Sequence, residues 1–143
     1  PYAYYLKGVV AEAKSSSLLD KLITDSAQRD VESIRDAYSY YMDLINTFPD
    51  SKYSEDASKK LLSLRNTLAR HELYVALYYA RIGSRIASIN RSKFIIENYP
   101  NSPSIPDSLH LMASNYDAIN VAQLASDTRK ILSSSYPGYS PSY

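Results

Sequence analysis

Three aromatic–proline pairs recur along this chain, and they limit its fold more than any other feature. The segment 46–51 (Asn-Thr-Phe-Pro-Asp-Ser) recurs as 97–102 (Glu-Asn-Tyr-Pro-Asn-Ser) and, more loosely, as 134–138 (Ser-Ser-Tyr-Pro-Gly). Proline cannot continue a helix, and it disfavours helical backbone at the residue before it. Each pair closes a stretch with helical periodicity, so each predicts a helix end. Self-similarity of this kind indicates a protein built from repeats.

The stretches between these stops have the apolar spacing that is typical of helices. One helix is expected after a cap at Asp30, and the residues of its apolar stripe are Val31, Ile34, Tyr38, Tyr41, Ile45 and Phe48. From Tyr53 to Ile82 there is no glycine or proline, which predicts one long helix. Two apolar stripes on it predict neighbours on two sides. They are Leu61, Leu64, Leu68, His71, Val75, Tyr78 and Ile82, and beside them Leu62, Ala69, Leu73, Ala76 and Ala80.

These stops divide the chain into three antiparallel helix pairs, and so six helices are predicted in all. The predicted pairs span 1–47, 53–98 and 104–136, with Gly83 as the turn inside the second pair. Ser104 is expected to cap the first helix of the third pair. The predicted fold class is therefore all-α, with antiparallel helix pairs stacked as tetratricopeptide-like repeats in an α-solenoid.

The remaining segments are expected to be irregular. A polar loop is predicted from about 15 to 29, and a disordered tail is predicted over 138–143. The helical part, 1–137, is expected to be a single domain. The chain starts without Met and without a signal sequence, which predicts a fragment or a processed form.

Composition argues against several functional classes. Lys and Arg number 16 against 15 Asp and Glu, and no basic stripe is visible, so nucleic-acid binding is not expected. Without cysteine, the chain can build no disulfide, thiolate metal site or cysteine nucleophile. No metal-binding motif, phosphate-binding loop or nucleophile elbow is present. We therefore expect a binding protein, not an enzyme, with no metal and no cofactor.

The helix pairs resemble tetratricopeptide repeats, and a closer resemblance is to the BamD family, also called the ComL family, of outer-membrane lipoproteins. Two groups of residues carry it: His71-Glu72-Leu73-Tyr74-Val75-Ala76, Tyr78-Tyr79, Gly83, Asn90-Arg91 and Tyr99-Pro100; and Phe48-Pro49-Asp50-Ser51-Lys52-Tyr53 running into Asp56-Ala57. The resemblance covers nearly all of the chain and is weakest over 15–29 and after Pro137. It implies repeats three to five of a five-repeat protein.

The resemblance also implies a function. The chain would be a scaffold module of the machinery that inserts β-barrel proteins, and it would dock onto the membrane-proximal POTRA region of BamA. BamC and BamE are implied as further contacts. The whole protein would sit at the periplasmic face of a Gram-negative outer membrane. It would be held there by a lipidated cysteine upstream of these residues.

Arg91 is the first candidate for a binding residue. It falls beside Ala87, Phe94 and Ile95, inside an apolar stripe of its helix. A guanidinium there must be paired or must face a partner, because burying it alone is costly. The matching arginine of the family lies at the BamA contact, where a bidentate pair with a carboxylate is natural. The alternatives are an internal ion pair and a head group that reaches solvent.

Four further residues are weaker protein-binding candidates. Arg81 and Arg85 flank the Gly83 turn, although solvated charge is the default for both. Tyr40 and Tyr74 fall off the main stripes and are interface candidates. By contrast, the tyrosines on regular stripes (Tyr38, Tyr41, Tyr78 and Tyr116) are expected in the core, as is His71.

Two other functions stay open at this point. A free-standing repeat adaptor would hold extended peptides in its concave groove, and it would bind them without any membrane partner. A helical enzyme would need catalytic residues assembled from distant positions, and the sequence offers no nucleophile–base pair for it.

Overall fold

The computed structural model describes residues 1–15 and 26–143, apart from the side chains of 15 and 26–30. Within these ranges the chain forms helices and no strand, which confirms the all-α class. The helices are α1 (Tyr2–Ser15), α2 (Ser26–Thr47), α3 (Ser54–Arg81), α4 (Arg85–Asn98), α5 (Ile105–Ala118) and α6 (Ala122–Ser135). The chain divides into two compact units, unit 1 (Pro1–Leu68) and unit 2 (Ala69–Tyr143). The prediction of a single domain stays a prediction.

All three aromatic–proline pairs end a helix, as predicted. The amide N–H of each aromatic residue donates to the carbonyl four residues earlier, and the proline after it supplies no further donor. These bonds run from Phe48 to Leu44 (2.8 Å), from Tyr99 to Ile95 (2.8 Å) and from Tyr136 to Leu132 (2.9 Å).

The turns after the first two stops are also alike. Ser51 donates its N–H to Phe48, and Ser54 in turn donates to Ser51 as α3 begins. The same two steps lead from Tyr99 through Ser102 to Ile105, where α5 begins. The repeat seen in the sequence is therefore a repeat of backbone hydrogen bonding.

The other two helix–helix turns depend on a left-handed residue. Gly83 has φ +84°, and the N–H of Ser84 bonds back to the carbonyl of Tyr79. Asn120 takes the same position after α5 with φ +63°, and Val121 bonds back to Tyr116. This is the Schellman arrangement, which glycine and asparagine tolerate best. Gly83 therefore ends the long helix, as predicted.

Unit 1 has a core built around tyrosine. Tyr41 is fully buried between α1 and α2, together with Ala37 and Leu44. A Cβ at Gly8 would lie 2.4 Å from Cε1 of Tyr41, so glycine is what lets α1 approach the ring. The Tyr41 hydroxyl donates to Oε2 of Glu12 at 2.9 Å.

Unit 2 has its own hydrophobic core. Its central cluster is Ile89, Met112, Tyr116 and Ala125, which come from α4, α5 and α6. The α3 residues of this unit bury their second predicted stripe, through Ala69, Leu73 and Ala76.

Four expectations differ from the structure. Ser104 stands at the N-cap position of α5, but its side chain makes no capping hydrogen bond. The second helix begins at Ser26, so Asp30 lies inside it, because nothing between these residues breaks a helix. The central part of the predicted loop, residues 16–25, lies outside the described residues. Tyr78 is 54% exposed, because unit 2 buries the other stripe of α3. The tail predicted to be disordered packs on α5, because Tyr139 and Ser142 bond to Asp107.

Candidate functional site

Arg91 forms an ion pair with Glu72 inside unit 2. Nη1 of Arg91, on α4, donates to Oε2 of Glu72, on α3, at 3.0 Å. The Glu72 side chain is 2% exposed, whereas the Arg91 side chain is 42% exposed. A carboxylate buried to this degree needs a paired charge. The pair therefore fixes one edge of the guanidinium.

Arg91 therefore combines the two alternatives considered for it, an internal ion pair and a head group that reaches solvent. The side chain has an internal partner, and its head group also reaches the surface. In the described part of the chain, Nη1 is the atom of this guanidinium that makes a hydrogen bond. Arginine carries five N–H donors in a planar fork, so most of them point elsewhere. The arrangement leaves a second edge that a carboxylate could meet with two parallel bonds.

Two exposed apolar side chains lie on α4, one before Arg91 and one a single turn after it. Ile86 is 60% exposed and Phe94 is 39% exposed, eight residues apart and so on one side of the helix. With the exposed Asn90 they form what we call the α4 surface, defined by Ile86, Asn90, Arg91 and Phe94. A charge set among exposed apolar groups is the composition found at protein interfaces.

A second exposed strip lies on α3. It consists of Tyr74 and Tyr78 on α3 and of Ile82, which directly follows the helix; they are spaced four residues apart and are 62%, 54% and 55% exposed. Side chains four residues apart share one face of a helix. Arg81 is exposed beside them. We call these four residues the α3 strip, and two of the predicted candidates belong to it.

Arg85, by contrast, has an internal role. Its Nη1 donates to Oδ1 of Asn115 at 3.1 Å, and Nδ2 of Asn115 donates to Oγ of Ser88 at 2.8 Å. The Ser88 hydroxyl in turn donates to the carbonyl oxygen of Ala76 at 2.7 Å. Ser88 and Asn115 are fully buried. The network ties α3, α4 and α5 together, and Arg85 completes it from the surface.

Tyr40 lies in unit 1, apart from the other four candidates, which all belong to unit 2. It is half-buried against the tyrosine core, and Nζ of Lys7 lies 5.8 Å from the centre of its ring. Tyr40 lines a groove between α1 and α2, beside Leu6 and Val10.

Sequence reasoning missed Glu72 and Asn115. Glu72 is adjacent to Leu73 and one turn from Ala69 and Ala76, so a carboxylate on that buried side of α3 was the signal for an ion pair. Asn115 had no comparable signal, because its partners are 27 and 30 residues away.

Neither metal binding nor a membrane span finds support in the described residues. No group of three or more His, Asp or Glu side chains there could hold a metal ion. None of the helices in the described ranges is both long and apolar enough to cross a membrane. His71 is half-buried, and the His110 ring contacts two tail tyrosines, at 5.7 Å from Tyr139 and 6.0 Å from Tyr143.

Comparison with known proteins places the chain in a family. A family model described as YfiO, outer membrane lipoprotein, matches residues 1–132. The outer membrane protein assembly factor BamD of Neisseria gonorrhoeae is 38% identical over 137 residues, which cover 95% of this chain and 51% of the relative. BamD of Haemophilus influenzae is 33% identical over 132 residues (92% and 50%), and BamD of Xylella fastidiosa strain Temecula1 is 31% identical over 140 residues (97% and 48%).

These relatives support the resemblance read from the sequence and also limit it. The chain spans about half the length of each of them. The matched residues include both full aromatic–proline turns, the long α3 helix and the α4 surface. The chain belongs to the YfiO family of outer membrane lipoproteins.

Proposed function

We propose that this chain is a scaffold module of the outer-membrane protein assembly machinery and that it docks onto the POTRA region of BamA. Two lines of support exist. The relatives are named outer membrane protein assembly factors. Unit 2 also carries exposed apolar and cationic groups in the pattern of a docking surface.

The observation that carries the proposal is the arrangement of Arg91. Oε2 of the buried Glu72 lies 3.0 Å from Nη1 of Arg91, while 42% of the Arg91 side chain stays exposed. Because Glu72 has already restricted the rotamers of Arg91, less conformational entropy is lost when a partner binds. Arginine and aromatic residues carry much of the binding energy in interfaces, and Phe94 stands beside Arg91. The geometry suits a carboxylate of the POTRA region.

The mechanism is binding alone. A rigid set of helix pairs presents the α4 surface and the turn at Gly83, and so fixes the position of its partner. Arg81 and Tyr74 extend the contact from the α3 strip, and BamC and BamE are further candidate partners. Tyr40 is a separate candidate contact on unit 1. The complete protein is lipid-anchored at the periplasmic face of the outer membrane through a cysteine upstream of this chain.

The test is co-purification of the full-length protein with BamA from solubilised membranes. Arg91→Glu should weaken co-purification strongly, because it places a carboxylate where the partner offers one. The helical circular-dichroism signal should stay intact. Lys130→Glu, a charge reversal on the exposed face of α6, is the matched control and should have no effect.

A milder variant guards against a folding defect. Arg91→Glu sets two carboxylates side by side, so Arg91→Lys should be measured as well. Lysine keeps the charge opposite Glu72 but lacks the planar fork, so binding should weaken while the fold is retained. Full binding by both variants would remove Arg91 from the proposed interface.

A further inference from the structure

The tail after α6 lies across one face of α5 and bonds to a buried carboxylate there. Asp107 is 6% exposed, although it belongs to the first turn of α5. Its Oδ1 accepts from the Tyr139 hydroxyl at 2.5 Å and from the backbone N–H of Ser142 at 3.3 Å. The Ser142 hydroxyl donates to Oδ2. Both oxygens of Asp107 are thus engaged by one short segment of the tail.

The second contact of the tail is aromatic. The ring of His110, one helical turn after Asp107, lies 5.7 Å from the Tyr139 ring and 6.0 Å from the Tyr143 ring. Both tyrosine rings therefore contact the imidazole of His110. Burial and the hydrogen bond to Asp107 raise the pKa of the Tyr139 hydroxyl, so it stays protonated as a donor.

Together these contacts form a pattern that recognises a peptide. The carboxylate selects hydroxyl and amide donors, and it repels acidic side chains. His110 selects aromatic rings spaced four residues apart. The bound segment lies outside regular secondary structure, and its other side faces solvent, with Tyr143 49% exposed. The hydrogen bonds to Asp107 and the ring contacts to His110 use groups that another chain can also present, so such a chain can replace it.

We propose that the α5 surface around Asp107 and His110 binds an extended peptide segment with a Tyr-x-x-Ser-aromatic pattern, and that residues 139–143 are its resident occupant. A partner that carries such a segment displaces the tail. Because the tail is tethered, it competes at a high effective concentration. A free peptide therefore binds weakly to the intact chain and better once the tail is gone. This surface is separate from the proposed contact with BamA.

The experiment uses the full-length protein and a labelled peptide with the sequence of residues 137–143, followed by fluorescence anisotropy. A variant that lacks residues 139–143 should bind the peptide at least tenfold more tightly than the intact protein. Adding Asp107→Asn should weaken that binding about tenfold, since half of the acceptor capacity and the charge are lost. Asp127→Asn, an exposed carboxylate on α6, is the control and should change nothing.

Two further arms complete the test. The same peptide carrying Ser142→Glu should not bind, because its carboxylate would meet Asp107. Should the deletion reduce the helical circular-dichroism signal, Tyr139→Phe with Ser142→Ala in the otherwise intact tail releases it without shortening the chain. That variant should gain peptide binding. The proposal fails if a folded variant without the tail, or with the tail released, does not bind the peptide. It also fails if the intact protein binds the peptide equally well. Either result would show that the tail only stabilises the fold.

Discussion

The tyrosine at the centre of unit 1 and the tyrosines of the α3 strip in unit 2 are packed in opposite ways. In unit 1, Tyr41 is fully buried, and Tyr5 stacks on Tyr53 with ring centres 5.1 Å apart. In unit 2, Tyr74 and Tyr78 stand 62% and 54% exposed. A buried tyrosine contributes a large apolar surface to folding, whereas an exposed one keeps that surface available for a partner. The exposed rings of Tyr74 and Tyr78 are the surface that the proposed docking through unit 2 would use.

The polar groups of the two units differ in the same sense. At the rim of unit 1, Lys60 meets Glu12 at 3.0 Å, and both side chains are about one-third exposed. Unit 2 buries Glu72, Ser88 and Asn115 completely and joins them to partners on neighbouring helices. Buried hydrogen bonds fix the arrangement of helices but contribute less net stability than apolar burial. Unit 2 therefore holds its shape while leaving apolar side chains outside.

The largest expected effect on stability is at Tyr41. Tyr41→Ala removes a fully buried aromatic ring and should lower the free energy of unfolding by about 3–5 kcal/mol. Urea denaturation followed by circular dichroism measures it. Tyr74→Ala, the corresponding change at an exposed tyrosine of unit 2, should stay within about 0.5 kcal/mol. Equal losses at the two sites would break the contrast between the units.

A smaller loss is expected in the buried network of unit 2. Asn115→Ala removes the amide that donates to the Ser88 hydroxyl and accepts from the Arg85 guanidinium, and it should cost about 1–3 kcal/mol. The same denaturation experiment applies. Asn98→Ala is the control, because Asn98 is exposed and bonds within its own helix. A loss at Asn98 that matches the loss at Asn115 would mean that burial of the network contributes nothing.

The smallest effect is a dependence on pH. Burial, and then the hydrogen bond to Glu12, raise the pKa of Tyr41 above its ordinary value of 10.0. A tyrosine with a raised pKa in the folded state stabilises the fold fully below the unfolded value and loses that contribution as pH rises past it. The stability of the parent should therefore fall above about pH 10, and Tyr41→Phe should lessen that fall. Identical dependence of stability on pH in the parent and in Tyr41→Phe would contradict the raised pKa of Tyr41.

Local signals in the sequence predicted the helix ends well. The aromatic residue of each aromatic–proline pair directly follows the last helical residue, because proline acts on the backbone beside it. Tyr78 was misplaced, because both stripes of α3 are apolar and only the packing decides which is buried. The start of the second helix was also misplaced, since a cap at Asp30 was inferred without a helix-breaking residue before it.

The candidate site was predictable only in part. Arg91 was found, because a cation inside an apolar stripe stands out within a single helix. Its partner Glu72 lies 19 residues away on another helix, and a periodic pattern does not join the two. The binding of the tail to Asp107 spans 32 and 35 residues and was missed for the same reason. Pairings between helices follow from packing, which local periodicity does not encode.

Hydroxyl-radical footprinting of the full-length protein, with and without the purified POTRA domains of BamA, tests most directly whether unit 2 is the docking half. Phe94 on the α4 surface and Tyr4 on α1 are matched aromatic reporters, 39% and 37% exposed. Oxidation of Phe94 should fall when the POTRA domains are added, and oxidation of Tyr4 should not change. Protection of Tyr4 without protection of Phe94 would contradict the proposed docking surface.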